Sequence, residues 1–133
     1  MALTVNHPTL KEVTVSCSTN SIASTPLACL CRAPFRGKIV KVGGVSHGIF
    51  TTDCSIAVAI ITSVAGGTAP TGGTTVTGSP FVLTAANSAA GTSNSMVPTG
   101  ANNVNEDDLI MFTPSGSTGT TIGGTFYAVI QVA

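Results

Sequence analysis

Val13, Val15 and Cys17 alternate with Thr14, Ser16 and Ser18 along "EVTVSCS". A repeat of two sends successive side chains to opposite faces of an extended chain, and a helix cannot use it. The same alternation returns in "GKIVKV" and in "FYAVIQV" near the C-terminus. Thr, Val and Ile dominate these segments, and their β-branched side chains suit a pleated surface. No window shows an amphipathic helix with caps. "LTAANSAAG" at Leu83–Gly91 is the one helix-permissive stretch. It lacks long apolar residues at helical spacing, so a loop or a single helical turn is expected there.

The pattern predicts strands near Thr9–Ser18, Leu27–Ala33, Lys38–Val45 and Cys54–Val64. Weaker strands are expected near Thr74–Gly78, Phe81–Ala85 and Ser95–Val97, and strong ones at Leu109–Thr113 and Thr121–Val132. Between them stand the turn signals "TNS", "APFRG", "GGVSHG", "AGGTAPTGG" and "SGSTG", where Gly supplies positive φ and Pro pre-sets a bend. Short strands separated by Gly- and Ser-rich turns predict an all-β fold, an antiparallel β-sandwich. About eight strands with uneven loops suit a jelly roll better than a meander. An N-terminal arm over residues 1–8 would precede a single domain over residues 9–133. The segment Ala86–Asp108 reads as a second long loop, and its length of roughly twenty residues suits a functional surface.

Only 8% of the 133 residues are charged, while 43% are hydrophobic. Disordered chains show the opposite balance. The longest apolar run, "IAVAII" at Ile56–Ile61, falls far short of the ~20 residues a membrane span needs. The formal net charge is zero, which weakens colloidal repulsion and favours association. It also argues against phosphate neutralisation, so no nucleic-acid partner is expected. "MALTVNHPTLKEV" has neither a basic n-region nor an apolar h-region, and a secretory signal is not expected. The four cysteines, at 17, 29, 31 and 54, are therefore expected as reduced, mostly buried thiols. Cys29 and Cys31 are too closely spaced for a zinc knuckle and have no second pair, so no metal is expected.

Reactive constellations are sparse. His47 stands six residues before Asp53, but the serines lie in turns with no nucleophile elbow. "NEDD" at Asn105–Asp108 lacks calcium-loop spacing and reads as a solvated turn. "VGGVSHG" lacks the lysine and hydroxyl of a phosphate loop. No catalytic residue and no cofactor is expected. The basic residues Arg32, Arg36, Lys38 and Lys41 fall within ten positions, far in sequence from the acidic cluster. They form a candidate patch for steering a protein partner, or for pairing within the chain. Leu3 and Val5 in the arm are the other candidate contacts, since a free terminus is ordered when a partner ties it down.

The segments "CRAPFRGKIVKV", "TDCSIAVAI", the Gly/Thr centre, "NEDDLIMF" and "TFYAVIQV" follow one another in an order that resembles the capsid decoration, or cement, proteins of tailed bacteriophages. The likeness runs from Ala33 to Val132, and this chain departs from the simplest such proteins in its cysteines. It implies a jelly-roll-like sandwich made in the host cytoplasm and carried on the virion surface. There it would bind the major capsid protein, and itself as a homodimer or homotrimer. A head-fibre or tail module is the nearest alternative. A small sugar-binding or hydrolase-like β-sandwich is the alternative of another class.

Overall fold

The computed structural model describes residues 12–62 and 72–132. The arm, with Leu3 and Val5, lies outside the described residues, as does most of "SVAGGTAPTGG". The described chain is all-β, with one turn of 3-10 helix at Ser88–Ala90 inside the helix-permissive stretch. The strands are β1 (Glu12–Thr19), β2 (Cys29–Arg32), β3 (Gly37–Ser46), β4 (Cys54–Ile61), β5 (Thr74–Thr75), β6 (Phe81–Leu83), β7 (Ser93–Met96), β8 (Asn103–Val104), β9 (Leu109–Ser115) and β10 (Gly124–Val132). They number ten rather than about eight: β8, a two-residue pairing on the flank of β3, lies outside every expected segment, and β5 keeps only two residues of the strand expected at Thr74–Gly78.

The strands form two antiparallel sheets. The first runs β1-β10-β3-β7, with β8 also on β3; the second runs β2-β9-β4-β5, with β6 also on β4. The chain passes from one sheet to the other at almost every long connection. Alternate residues therefore point into the space between the sheets. Ile39, Val42, Ile56, Val58, Leu83, Ile110, Phe112, Phe126 and Ile130 are fully or almost fully buried there. Phe112 of β9 and Phe126 of β10 stack at 5.5 Å with planes 14° apart, and Phe81 meets Phe126 edge-on at 6.5 Å. Rings in these geometries add about 0.5–1.5 kcal/mol per pair beyond the area they bury.

Two segments depart from expectation, and a third resolves an overlap. Gly43 and Gly44 lie inside β3, as the strand expected at Lys38–Val45 has them, so "GGVSHG" turns only after Ser46. Their faces are covered by successive rings of β10: a Cβ on Gly43 would stand 2.7 Å from the Tyr127 ring, and one on Gly44 would strike Phe126. Glycine's poor strand propensity is offset where an aromatic ring lies over it. The segment Ala86–Asp108, read as a long loop, carries β7, which overlaps the weak strand expected at Ser95–Val97, and β8; both extend the first sheet beyond β3. Asp108, at the end of "NEDD", is buried rather than solvated. Its carboxylate accepts the Asn105 N–H at 2.9 Å, and its carbonyl accepts the Ala33 N–H at 2.8 Å.

Candidate functional site

The outer face of the first sheet is built from cross-strand rows. Ser18, Thr125, Val45 and Ser93 form one row, and Ser16, Tyr127, Gly43 and Ser95 the next. Thr14, Val129 and Lys41 follow, then Glu12, Gln131, Lys38 and Asn103. The face thus passes from hydroxyls at one end to charge at the other.

Lys38 and Lys41 are three residues apart, so simple alternation would send them to opposite faces. A β-bulge decides otherwise. Val129 of β10 pairs with Lys41, but the next residue, Ile130, pairs with Ile39, leaving Val40 without a partner. The extra residue restores both lysines to the outer face, where both are exposed. Arg36, in the turn before β3, joins Lys38 in lining a shallow cleft of about 390 Å³ with Asn103, Asn105 and Gln131. Arg32 does not join them. It projects from β2 in the second sheet, where its Nε lies 2.9 Å from Asp107 Oδ1. That pair is largely exposed, so its contribution to stability is at most about 1 kcal/mol. The patch expected from sequence is therefore a trio, Arg36, Lys38 and Lys41, with Arg32 engaged inside the chain.

At the hydroxyl end, a cleft of about 420 Å³ lies among Ser93, Asn94, Ser95, Thr125 and Tyr127. His47 Nε2 stands 2.8 Å from Thr125 Oγ1, which lies 2.9 Å from Ser18 Oγ. No carboxylate takes part in these bonds. Asp53, the nearest acid in sequence, instead accepts the Ala85 N–H at 2.9 Å. This chain of groups can hold and orient a hydroxyl-bearing ligand. It lacks the oriented base that nucleophilic catalysis requires. Among the described residues no cluster of His, Cys, Asp or Glu is arranged to hold a metal ion, and no helix is long and apolar enough to cross a membrane.

The second sheet presents a different outer face, which the sequence reading missed. Leu30, Met111, Ala59 and Thr75 form one cross-strand row. Arg32, Leu109 and Ile61 lie to one side of it, and Thr113 with Ala57 to the other. Arg32 is the sole ionic group among these residues. A sheet with one wet face alternates apolar and polar residues, whereas a strand covered on both faces reads as a continuous apolar run. "IAVAII" in β4 and "LIM" at the start of β9 are such runs. That continuity was the available signal.

No protein-family model matches the chain, and no curated protein is detectably similar to it.

Proposed function

We propose that the chain is a structural subunit of a virion, a decoration or cement protein that binds the outside of a phage head and bridges neighbouring capsid subunits. The observation that carries this reading is the outer face of the β2-β9-β4-β5 sheet, apolar or hydroxyl-bearing apart from Arg32. Contact surfaces between subunits are depleted of charge at their centres and enriched in apolar groups such as Met. Leu30, at the β2 edge of that face, is 38% exposed. The strand order, β1-β10-β3-β7 over β2-β9-β4-β5, supports a jelly-roll reading of the sandwich and with it the same proposal. Cementing needs area, shape and register, all of which this chain offers without titrating groups.

The two outer faces would then divide the work. The apolar face joins copies of the chain to one another, and the Arg36–Lys38–Lys41 patch meets acidic groups on the shell. Met111→Lys places a charge in the middle of the apolar face while leaving the core untouched. It is expected to convert a homodimer or homotrimer into monomer at micromolar concentration, read by analytical ultracentrifugation. A wild-type chain that is monomeric throughout would remove self-association from the proposal. Replacing Arg36 and Lys38 with Ser is expected to slow association with purified heads about tenfold at low salt and to flatten its salt dependence. Unchanged kinetics would show that the patch faces away from the shell.

The hydroxyl-lined cleft beside Tyr127 favours a second reading, a sugar-binding sandwich, because a ring laid flat among Ser and Asn side chains is how a sheet presents a saccharide platform. Binding of the isolated chain to a glycan array, without binding to heads, would select it.

A further inference from the structure

β1 and β2 are outer strands of different sheets, so no ladder of backbone hydrogen bonds joins them. Three of the four cysteines meet at this edge of the sandwich. Cys17 pairs in register with Phe126, and Cys29 with Phe112. Those two rings stack on each other at 5.5 Å across the sandwich. Cys17 and Cys29 therefore stand at the same level, each one strand outward from the stacked pair. Cys31 follows on the same inward face of β2. Cys17, Cys29 and Cys31 act on one another's thiols directly across this edge. All four thiols are free, and Cys17 alone is half-exposed while the others are buried. Cys54 stands apart, its sulfur directed at the Ile22 carbonyl oxygen at 3.5 Å.

We propose that Cys17, Cys29 and Cys31 form an oxidative modification site, at which a small-molecule disulfide drives one cross-sheet disulfide from Cys17 to Cys29 or Cys31. In the first step the Cys17 thiolate attacks one sulfur of the small disulfide. The S–S bond breaks, one small thiolate leaves and is protonated by solvent, and Cys17 carries the mixed disulfide. In the second step Cys29 or Cys31 loses its proton to solvent and attacks the Cys17 sulfur. The mixed disulfide breaks and the second small thiolate leaves, to be protonated in turn. Two protein thiols are oxidised, and one small disulfide is reduced to two thiols.

The surroundings assign the roles. Hydrogen bonds from Cys29 and then Cys31 hold the Cys17 thiol well below the ordinary thiol range, to about 4. The same hydrogen bonds, followed by burial, push Cys29 and Cys31 upward. Cys17 is thus the accessible thiolate that reacts first, and the buried pair resolves it. Cys29 and Cys31 are poor partners for each other, because side chains two apart on one strand face run parallel rather than toward one another. A bridge through Cys17 instead ties together two strands held only by packing, and a rise in Tm of roughly 5 °C is expected from the closed loop. The site is independent of any role at a shell.

The test is to incubate the purified full chain with excess oxidised glutathione, quench with iodoacetamide in denaturant, and weigh it. Reduced chain should take four alkyl groups, matching its four free thiols. Oxidised chain should take two. Chymotryptic cleavage after Leu27 and Leu30 separates the clustered cysteines and should recover Cys17 linked to Cys29 or Cys31. Cys17→Ser should keep every remaining thiol through the same treatment. Cys29→Ser and Cys31→Ser should each still close a bridge, and the double variant should stop at a mixed disulfide on Cys17. Four alkyl groups on treated wild type would overturn the proposal, as would an unresolved adduct, a link to Cys54, or a bridge that survives in Cys17→Ser.

Discussion

Phe126→Ala is expected to destabilise the domain by about 3–5 kcal/mol, the range for deleting a buried aromatic ring. For a domain of this size that lowers Tm by roughly 10–20 °C. Phe126 is fully buried, stacks on Phe112 and meets Phe81 edge-on. It is thus the point at which β9, β10 and β6 share one contact. Its ring also covers Gly44, so its removal opens space above a residue with no side chain to fill it. Urea titration monitored by far-UV circular dichroism gives the change directly. A loss below about 1 kcal/mol would place the centre of the core elsewhere, because so small a cost requires a site able to collapse.

Gly44→Ala should cost about 3 kcal/mol, while Gly43→Ala one residue earlier should cost about 1 kcal/mol, both being overpacking changes. A methyl on Gly44 would enter the Phe126 ring, which is locked between two other rings, and would crowd the Thr125 carbonyl at 3.1 Å. A methyl on Gly43 would press on the far end of Tyr127, 2.6 Å from its hydroxyl, and on the Asn94 carbonyl at 2.8 Å. Tyr127 is half-buried on the outer face and Asn94 belongs to the short strand β7, so both can give way. The cause can be isolated with a double-mutant cycle. In a Phe126→Leu background Gly44→Ala should cost about 1–2 kcal/mol less than in the wild type, while the Gly43→Ala cost stays unchanged. Equal costs in both backgrounds would mean that strand pairing, not ring contact, demands glycine at position 44.

The strands were legible wherever one face is buried and the other wet, because the alternation along "EVTVSCS" and "FYAVIQV" is the direct imprint of that environment. Burial of Cys29 and Cys31 on one face of β2 follows from the same period of two. β7 was legible only in part, as the weak strand at Ser95–Val97, and β8 was obscured. "SNSM" and "NV" carry little strand propensity, and they are extended because the free edge of β3 offers backbone partners. The basic patch was legible as a cluster but not as a surface. Arg32 and Lys38 are close in sequence yet stand on different sheets, since the chain crosses the sandwich between β2 and β3.

Sequence by itself determined the fold class, the sandwich and most of its strands, because each depends on side chains that are near neighbours along the chain. It also determined the scarcity of ionic and aromatic groups, and with it the kind of surface the protein can present. Tertiary structure alone decided which residues share a place. The unpaired Val40 sets Lys38 and Lys41 on one face, since a bulge appears only when a second strand supplies the register. Tyr127 and Phe126 make Gly43 and Gly44 acceptable inside a strand. The meeting of Cys17 with Cys29 and Cys31 depends on two sheet edges closing over stacked Phe rings. These contacts join residues far apart in sequence or on separate strands, and only the packing of the two sheets specifies them.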